Sequence, residues 1–267
     1  SNCSDGSDSP KELIKKIQEA GINIFALTDH DTVDGGLEIS DIIPTNIEYI
    51  PSIELTCKSE NINCHILGYF CDLKNDVLNK LIIKGKQLRR EKLEARIQYL
   101  KNIWNISLTP SELEWLYTRK SVVKTHLANI LVKRGLANDN LSAMKKYLDN
   151  CKTGNTKFSI QEAIDAIYSA GGIPVWAHPL GGEGEIHYTK EEFLPILKKM
   201  LTFNIKGLEC YYSRYSMQEI NFLLDCAKQN NLLISGGSDY HGTNKDIPLG
   251  KLNTELIEIS ADKLTIL

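Results

Sequence analysis

Leu27-Thr28-Asp29-His30-Asp31-Thr32-Val33-Asp34-Gly35 packs three carboxylates and an imidazole into the six residues from Asp29 to Asp34. A mostly apolar, β-branched run, Ile22 to Thr28, leads into it, and Gly35-Gly36 follows. The pattern predicts a buried strand that delivers polar groups at its C-terminal end, where parallel α/β folds place their chemistry. An imidazole among acids is either a metal ligand with supporting carboxylates or half of an acid/base pair. The plainer reading makes Asp31 or Thr32 the N-cap of a helix beginning near Val33. The other histidines have to decide between these.

Working outward, Ser9 is expected to cap a helix with Pro10 at its first position, running to about Ala20 and ended by Gly21. A short helix is expected from about Gly35 to Ile42. Glu48 to Leu55 reads as a strand carrying Glu54, and Asn63 to Phe70 as one carrying His65. A charge or imidazole inside a buried strand is costly unless paired or bound to metal, although a satisfied core residue or an edge strand gives the same pattern. Ile173 to Ala177 is a strand ending in His178-Pro179. Ile205 to Tyr212 is a strand containing Glu209. Leu232 to Ser235 is a strand that leads into Ser238-Asp239-Tyr240-His241-Gly242. Helices are expected at Ser159–Ala170, Glu191–Leu201 and Met217–Gln229. The alternation predicts an α/β class with a parallel sheet closed, or nearly closed, as a barrel.

Between these parts the rhythm changes. From Asp76 to about Gly154 apolar residues recur at helical spacing (Leu78, Leu81, Ile82, Leu88, Leu93, Ile97, Leu100, Trp104) and no strand is needed. The organisation expected is a discontinuous core, residues 1–75 and 155–267, with a helical insertion at 76–154. The insertion's many lysines and arginines read either as a solvated helical face or as cations offered to a phosphorylated substrate.

Composition narrows the function classes. With 267 residues, 42% hydrophobic, the chain has ample material for a core, and a net charge of -3 argues against bulk nucleic-acid binding. No run of apolar residues is long enough to span a membrane. Seven cysteines, odd in number and without Cys-x-x-Cys, fit a reducing cytoplasm better than a disulfide framework. There is neither a P-loop nor a Gly-x-Ser-x-Gly nucleophile elbow.

The predicted strand ends and the N-terminal loop together offer Asp5, His30, Glu54, His65, His178, Asp239 and His241. Mixed imidazole and carboxylate suits Zn²⁺, Mn²⁺ or Fe²⁺, and so many donors point to more than one ion. Paired ions can serve phosphoester hydrolysis.

Ser4-Asp5-Gly6, Thr28-Asp29-His30-Asp31-Thr32, Pro51-Ser52-Ile53-Glu54, His65-Ile66-Leu67-Gly68-Tyr69, Ala177-His178-Pro179 and Ser238-Asp239-Tyr240-His241-Gly242 resemble, in order and spacing, the PHP (polymerase and histidinol phosphatase) metal-dependent phosphoesterases. The resemblance covers nearly the whole chain. It implies a distorted seven-stranded β/α barrel with two or three divalent ions, Mn²⁺ foremost, held by the seven residues just named. The helical insertion looks like that of the branch containing nucleoside 3',5'-bisphosphate phosphatases and 5'-3' exoribonucleases. The implied reaction is hydrolysis of a phosphomonoester by metal-activated hydroxide, on a nucleoside 3',5'-bisphosphate or a short 5'-phosphorylated oligonucleotide. A histidinol-phosphate-type phosphatase and a non-catalytic metal-binding module are the alternatives. No obligate protein partner and no membrane are implied.

The family also begins with a strand ending in His-x-His, five residues before the aspartate that matches Asp5. That position falls before Ser1, so the first strand and two ligands are expected to be absent from these 267 residues. His178 and His241 are expected as ligands or proton donors. Asp31, with Asp29, is expected to orient His30. Arg119, Lys124, His126 and Arg134 are candidates to grip the substrate's other phosphate. Thr125-His126-Leu127-Ala128 resembles a His-[Leu/Ile]-Ala segment of that branch, with Lys124 near the position where an arginine often stands.

Overall fold

A computed structural model describes residues 1–118, 122, 124–252 and 257–267. The chain forms two compact units, Ser1–Leu81 with Phe158–Leu267, and Ile82–Lys157.

The first unit opens with α1 (Pro10–Glu19), started as expected by Ser9, whose side chain accepts from the Glu12 amide while the Glu12 carboxylate accepts from Ser9. The other elements of this unit follow in order: β1 (Ile24–Leu27), α2 (Asp34–Ile42), β2 (Glu48–Ser59) and β3 (Ile62–Tyr69). α3 (Asp76–Trp104) begins in the first unit, and from Ile82 onward it builds the second with α4 (Pro110–Tyr117), α5 (Lys124–Lys133) and α6 (Asn140–Ala143), continued by a π-helical turn at Met144–Leu148. The first unit resumes with α7 (Ile160–Ser169), β4 (Ile173–Trp176), α8 (Lys190–Thr202), β5 (Gly207–Tyr212), α9 (Met217–Gln229), β6 (Leu233–Gly237), β7 (Lys251–Leu252) and β8 (Ile257–Glu258). The same Ser/Thr-x-x-Glu capping box that opens α1 also opens α4, α7, α8 and α9, satisfying amides that a helix start leaves unpaired.

Six strands form one sheet in the order β1-β2-β3-β4-β5-β6, curled into a half-barrel. The uniformly parallel sheet expected from the sequence is corrected here. β3 runs antiparallel to both neighbours, while the β1–β2, β4–β5 and β5–β6 pairs are parallel. The cause is local. Glu60, at φ +52°, and Asn61 make a two-residue turn, so β2 folds straight back as β3 instead of crossing over through a helix.

The alternation of side chains sets two faces. On the inner one, Ile50, Leu67, Tyr69, Val175 and Ala177 make an apolar cluster that Ile266 completes. The C-terminal segment reaches it because the Ile266 amide bonds to the Ile234 carbonyl on β6, at 3.1 Å. α1 and α2 pack Leu13, Ile14, Ile17 and Ile39 around Leu27. In the second unit Leu93, Leu100, Leu116, Leu127, Ile130, Leu131 and Leu148 form a core of its own. Among the described residues no helix is long and apolar enough to cross a membrane. No disulfide joins the seven cysteines, and all but Cys151 are buried.

Candidate metal centre

The polar end of the inner face is where the scattered donors meet. β1 ends at Leu27, and beyond it His30 pairs in a single parallel bridge with Glu54 of β2, with the Asp31 amide on the Glu54 carbonyl at 2.8 Å. This extends the β1–β2 pairing just far enough to place the His30 ring beside the Glu54 carboxylate, Nδ1 to Oε2 3.6 Å. His65 comes from within its strand, as expected. It lies inside β3, opposite Thr56, and comes onto the Glu54 face because residues two apart on a strand share a side. Its Nδ1 is 3.0 Å from Glu54 Oε1. His178, just past β4, brings Nε2 to 3.3 Å from the same oxygen and 3.1 Å from His65 Nδ1.

On the other side, His241 Nε2 lies 3.2 Å from Asp5 Oδ1, and His30 Nε2 lies 3.7 Å from Asp5 Oδ2. Three sets of donor atoms result, each mutually within 4.8 Å: Asp5 with His30 and His241; His30 with Glu54 and His65; and His65 with His178 and Glu185. His30 belongs to two sets and His65 to two, so the three candidate positions form a connected row.

The electrostatics fit a cation-binding surface. Glu54 is buried, which opposes its charge, yet His30, His65 and His178 around it hold its carboxyl well below the ordinary glutamate value. Burial likewise opposes ionisation of Asp5, but the hydrogen bond with His241 and the neighbouring His30 keep it low. Burial pulls His65 toward the neutral, ligating form. His178 is pushed the other way: burial disfavours its charge, but contacts with Glu185 and Glu54 outweigh that. His30 Nδ1 is buried and has no hydrogen-bond partner among the described residues. A buried lone pair or N–H left in that state is costly. Nitrogen and carboxylate donors gathered in this way suit a borderline divalent ion.

Two residues at the centre were not expected there. Glu185, in a glycine-rich loop, reaches His178 Nδ1 at 3.2 Å and is fixed by the Gly182 amide at 2.8 Å. Burial opposes its charge, but the contact with His178 brings its carboxyl down to about 2. Lys245 lies 2.5 Å from Asp239 Oδ2, which also accepts from the Tyr212 hydroxyl at 3.0 Å. Asp239 therefore meets the centre through its other oxygen, 3.4 Å from His241 Nδ1, and is absent from the three sets. Glu209 is buried and accepts the His178 backbone N–H at 2.7 Å. Burial raises its carboxyl to about 8, with His178 opposing.

The N-cap reading is corrected for Asp31, whereas the Thr32 hydroxyl does accept the amide of Asp34, the first residue of α2, at 3.3 Å. α2 has Val33 at its N-cap with no side-chain cap bond. Asp31 stands at φ +51°, buried, and its Oδ1 accepts the Thr56 amide at 2.8 Å, stitching the loop to β2. It belongs to none of the three donor sets. Asp29 does not orient His30 through any bond described; it accepts from the Ser1 amino group at 2.5 Å and the Ser4 hydroxyl at 2.9 Å.

In the insertion, Arg119 lies outside the described residues. Arg134 is committed to a two-pronged pair with Glu112, Nε to Oε1 2.8 Å, and to the Ser107 carbonyl. His126 packs edge-on against Trp115, and Lys124 pairs with Asp149 at 2.6 Å. The Tyr240 hydroxyl bonds Asp8 and Lys16.

No family model matches the chain. Curated relatives do. The chain is 29% identical over 270 residues to a 5'-3' exoribonuclease of Haemophilus influenzae, covering 97% of this chain and 93% of that protein. It is 26% identical to a 3',5'-nucleoside bisphosphate phosphatase of Chromobacterium violaceum, covering 90% and 85%. Among solved structures, one from Bifidobacterium adolescentis described as a metal-dependent phosphoesterase superposes with a TM-score of 0.77 at 22% identity, covering 98% of this chain and 91% of that one. These curated relatives are hydrolases that act on phosphate esters of nucleotides or RNA, and the likeness read from the motifs runs along almost the entire chain.

Proposed function

We propose that this protein is a metal-dependent phosphoesterase acting on the 3'-phosphate of nucleoside 3',5'-bisphosphates or on short 5'-phosphorylated oligonucleotides. The observation that carries the reading is the connected row of three donor sets sharing His30 and His65. The relatives named for RNA and bisphosphate substrates support the choice of substrate.

Asp5, His30, Glu54, His65, His178 and His241 would hold the ions, Mn²⁺ being the first candidate, with Asp239 beside His241 and Glu185 beside His178. Bound divalent ions would supply a water-derived nucleophile at neutral pH and neutralise charge on the phosphoryl oxygens. The protein does the rest. Glu54 fixes three imidazoles from one carboxylate, so their nitrogens face a common space. Glu209 holds the His178 backbone at φ +30°, a strained setting for a non-glycine residue. Asp31 acts at one remove, by pinning the strand that carries Glu54. His241 and His178 are the groups placed to hand a proton to the leaving oxygen. Lys124 and His126 remain candidates for the substrate's second phosphate.

A seventh strand belongs between β1 and β6 in this reading. Support comes from a cavity of about 530 Å³ lined by Ile24, Ala26, Ile50, Leu67 and Gly236, next to strand edges that a barrel would pair.

The test is phosphate release by the Mn²⁺-loaded protein from adenosine 3',5'-bisphosphate, 5'-phosphorylated dinucleotides and histidinol phosphate. Turnover of the nucleotides alone is expected. Release only from histidinol phosphate would move the substrate to the other branch, and no turnover at full metal occupancy would leave a binding module.

A further inference from the structure

We propose that Lys245 is a built-in cation that keeps Asp239 from serving the donor set of Asp5, His30 and His241, so that this end of the row takes its divalent ion weakly and fills only as the free ion concentration rises. This deepens the proposed metal-centre reading and rests on it.

The end of the row at Asp5 is thinly provided. Its set has three donors and shares one of them, His30, with the set around Glu54. A further carboxylate, Asp239, stands at its edge, with Oδ1 3.4 Å from His241 Nδ1. The other oxygen of Asp239 is taken twice, by the Lys245 ammonium at 2.5 Å and by the Tyr212 hydroxyl at 3.0 Å.

Lys245 is held in that position. Its side chain is only 20% exposed, and that of Asp239 18%. The residues before it are tied to the N-terminal loop that carries Asp5: the Asn244 side-chain amide donates to the Asp5 carbonyl at 2.8 Å, and the Thr243 amide to the Ser7 hydroxyl at 2.9 Å. The residue after it, Asp246, pairs with Arg214 at 2.6 Å. The ammonium is therefore brought to Asp239 by a segment anchored on both sides.

An ammonium in this place acts twice against an ion. It neutralises a carboxylate that could bind the ion, and it repels the ion itself across a space where water screens little. A charged lysine has three donors and no acceptor, so it gives nothing back as a ligand. Without it, Asp239 keeps the Tyr212 bond and still has lone pairs to offer, because a carboxylate has about four acceptor positions. A pair that merely fastened the loop predicts the opposite sign: its loss would loosen Asp5 and His241 and weaken the ion.

Calorimetric titration of the full chain with Mn²⁺, joined to elemental analysis after gel filtration, tests this without any measurement of activity. Lys245→Met, similar in length and uncharged, should tighten the weakest Mn²⁺ step by at least about tenfold and carry one more ion per chain through filtration. Lys245→Gln should give the same gain and covers the case in which an apolar side chain disturbs the loop. Lys245→Arg, which keeps the charge, should bind as the parent does. Adding Asp239→Asn to Lys245→Met should abolish the gain. Unchanged or weaker Mn²⁺ binding in both uncharged variants overturns the proposal, as does a gain shared by Lys245→Arg or one that survives Asp239→Asn. A parent chain that binds no Mn²⁺ would remove the metal-centre reading as well, whereas a parent that binds it with the same profile as Lys245→Met and Lys245→Gln would remove only the role of Lys245.

Discussion

The carboxylate of Glu185 stands 3.2 Å from His178 Nδ1, while the other ring nitrogen of His178 points at Glu54 and His65. A carboxylate behind a ligating histidine fixes the tautomer and raises its basicity. Glu185→Ala is therefore expected to weaken binding of one divalent ion by about 10–100-fold, with Glu185→Gln in between. Titration of Mn²⁺ by calorimetry reads this directly. An unchanged affinity profile would show that Glu185 merely covers the site.

The loop that presents Glu185 depends on Gly181. Its φ is +109°, and a Cβ there would sit 2.3 Å from the Ile186 carbonyl oxygen. Gly181→Ala should reproduce most of the metal-binding loss of Glu185→Ala and should also lower the melting temperature, because the clash is with backbone at a positive φ, whereas Glu185→Ala should leave it nearly unchanged. The two variants together separate loss of the carboxylate from disturbance of the loop.

Glu54 is the carboxylate that three imidazoles share. Glu54→Gln leaves the size of the side chain and removes the charge. Hydrolysis is expected to fall by at least about 100-fold, with loss of bound metal by elemental analysis. Retention of both would remove the row of donor sets as the seat of chemistry.

The Glu112–Arg134 pair gives a pH prediction for the insertion. Burial opposes the Glu112 charge, but Arg134 and Thr109 lower its carboxyl below the ordinary value. A depressed carboxyl stabilises the fold above its unfolded value and loses that contribution as pH falls through the folded one. The insertion should therefore become less stable on acidification below about pH 4.5. Arg134→Gln should cost about 0.5–1 kcal/mol at pH 7 and flatten this dependence. Hydrogen exchange of α4 and α5 amides at pH 7 and pH 4 measures it.

Much of this was legible in the sequence, for identifiable reasons. Strands and capped helices announce themselves by period and by Ser/Thr-x-x-Glu, and α1, α7 and α9 begin where those signals put them. His30, Glu54, His65, His178 and His241 were recognisable because each is a polar group after or within an apolar run. The turn between β2 and β3 was not, because Glu60 adopts a backbone usually signalled by Gly, Asn or Asp. That single residue reverses a strand and turns the expected parallel sheet into a mixed one. Asp31 misled for the opposite reason. An acid before a helix looks the same whether it caps the helix or, as here, bonds the amide of a neighbouring strand. Glu185 and Lys245 carry no periodic signal at all, since loops place side chains through contacts far away in the chain.

The tight return from β2 into β3 has a further implication for how such a protein can vary. Glu54 and His65 sit on adjoining strands joined by only Glu60 and Asn61, and they share a side through the pairing of Thr56 with His65. Because strands alternate with a period of two, a one-residue insertion or deletion at that turn would rotate Cys64 or Ile66 inward and carry His65 to the helix-covered side. A single codon gained or lost at this bend would therefore break up two of the three candidate donor sets together.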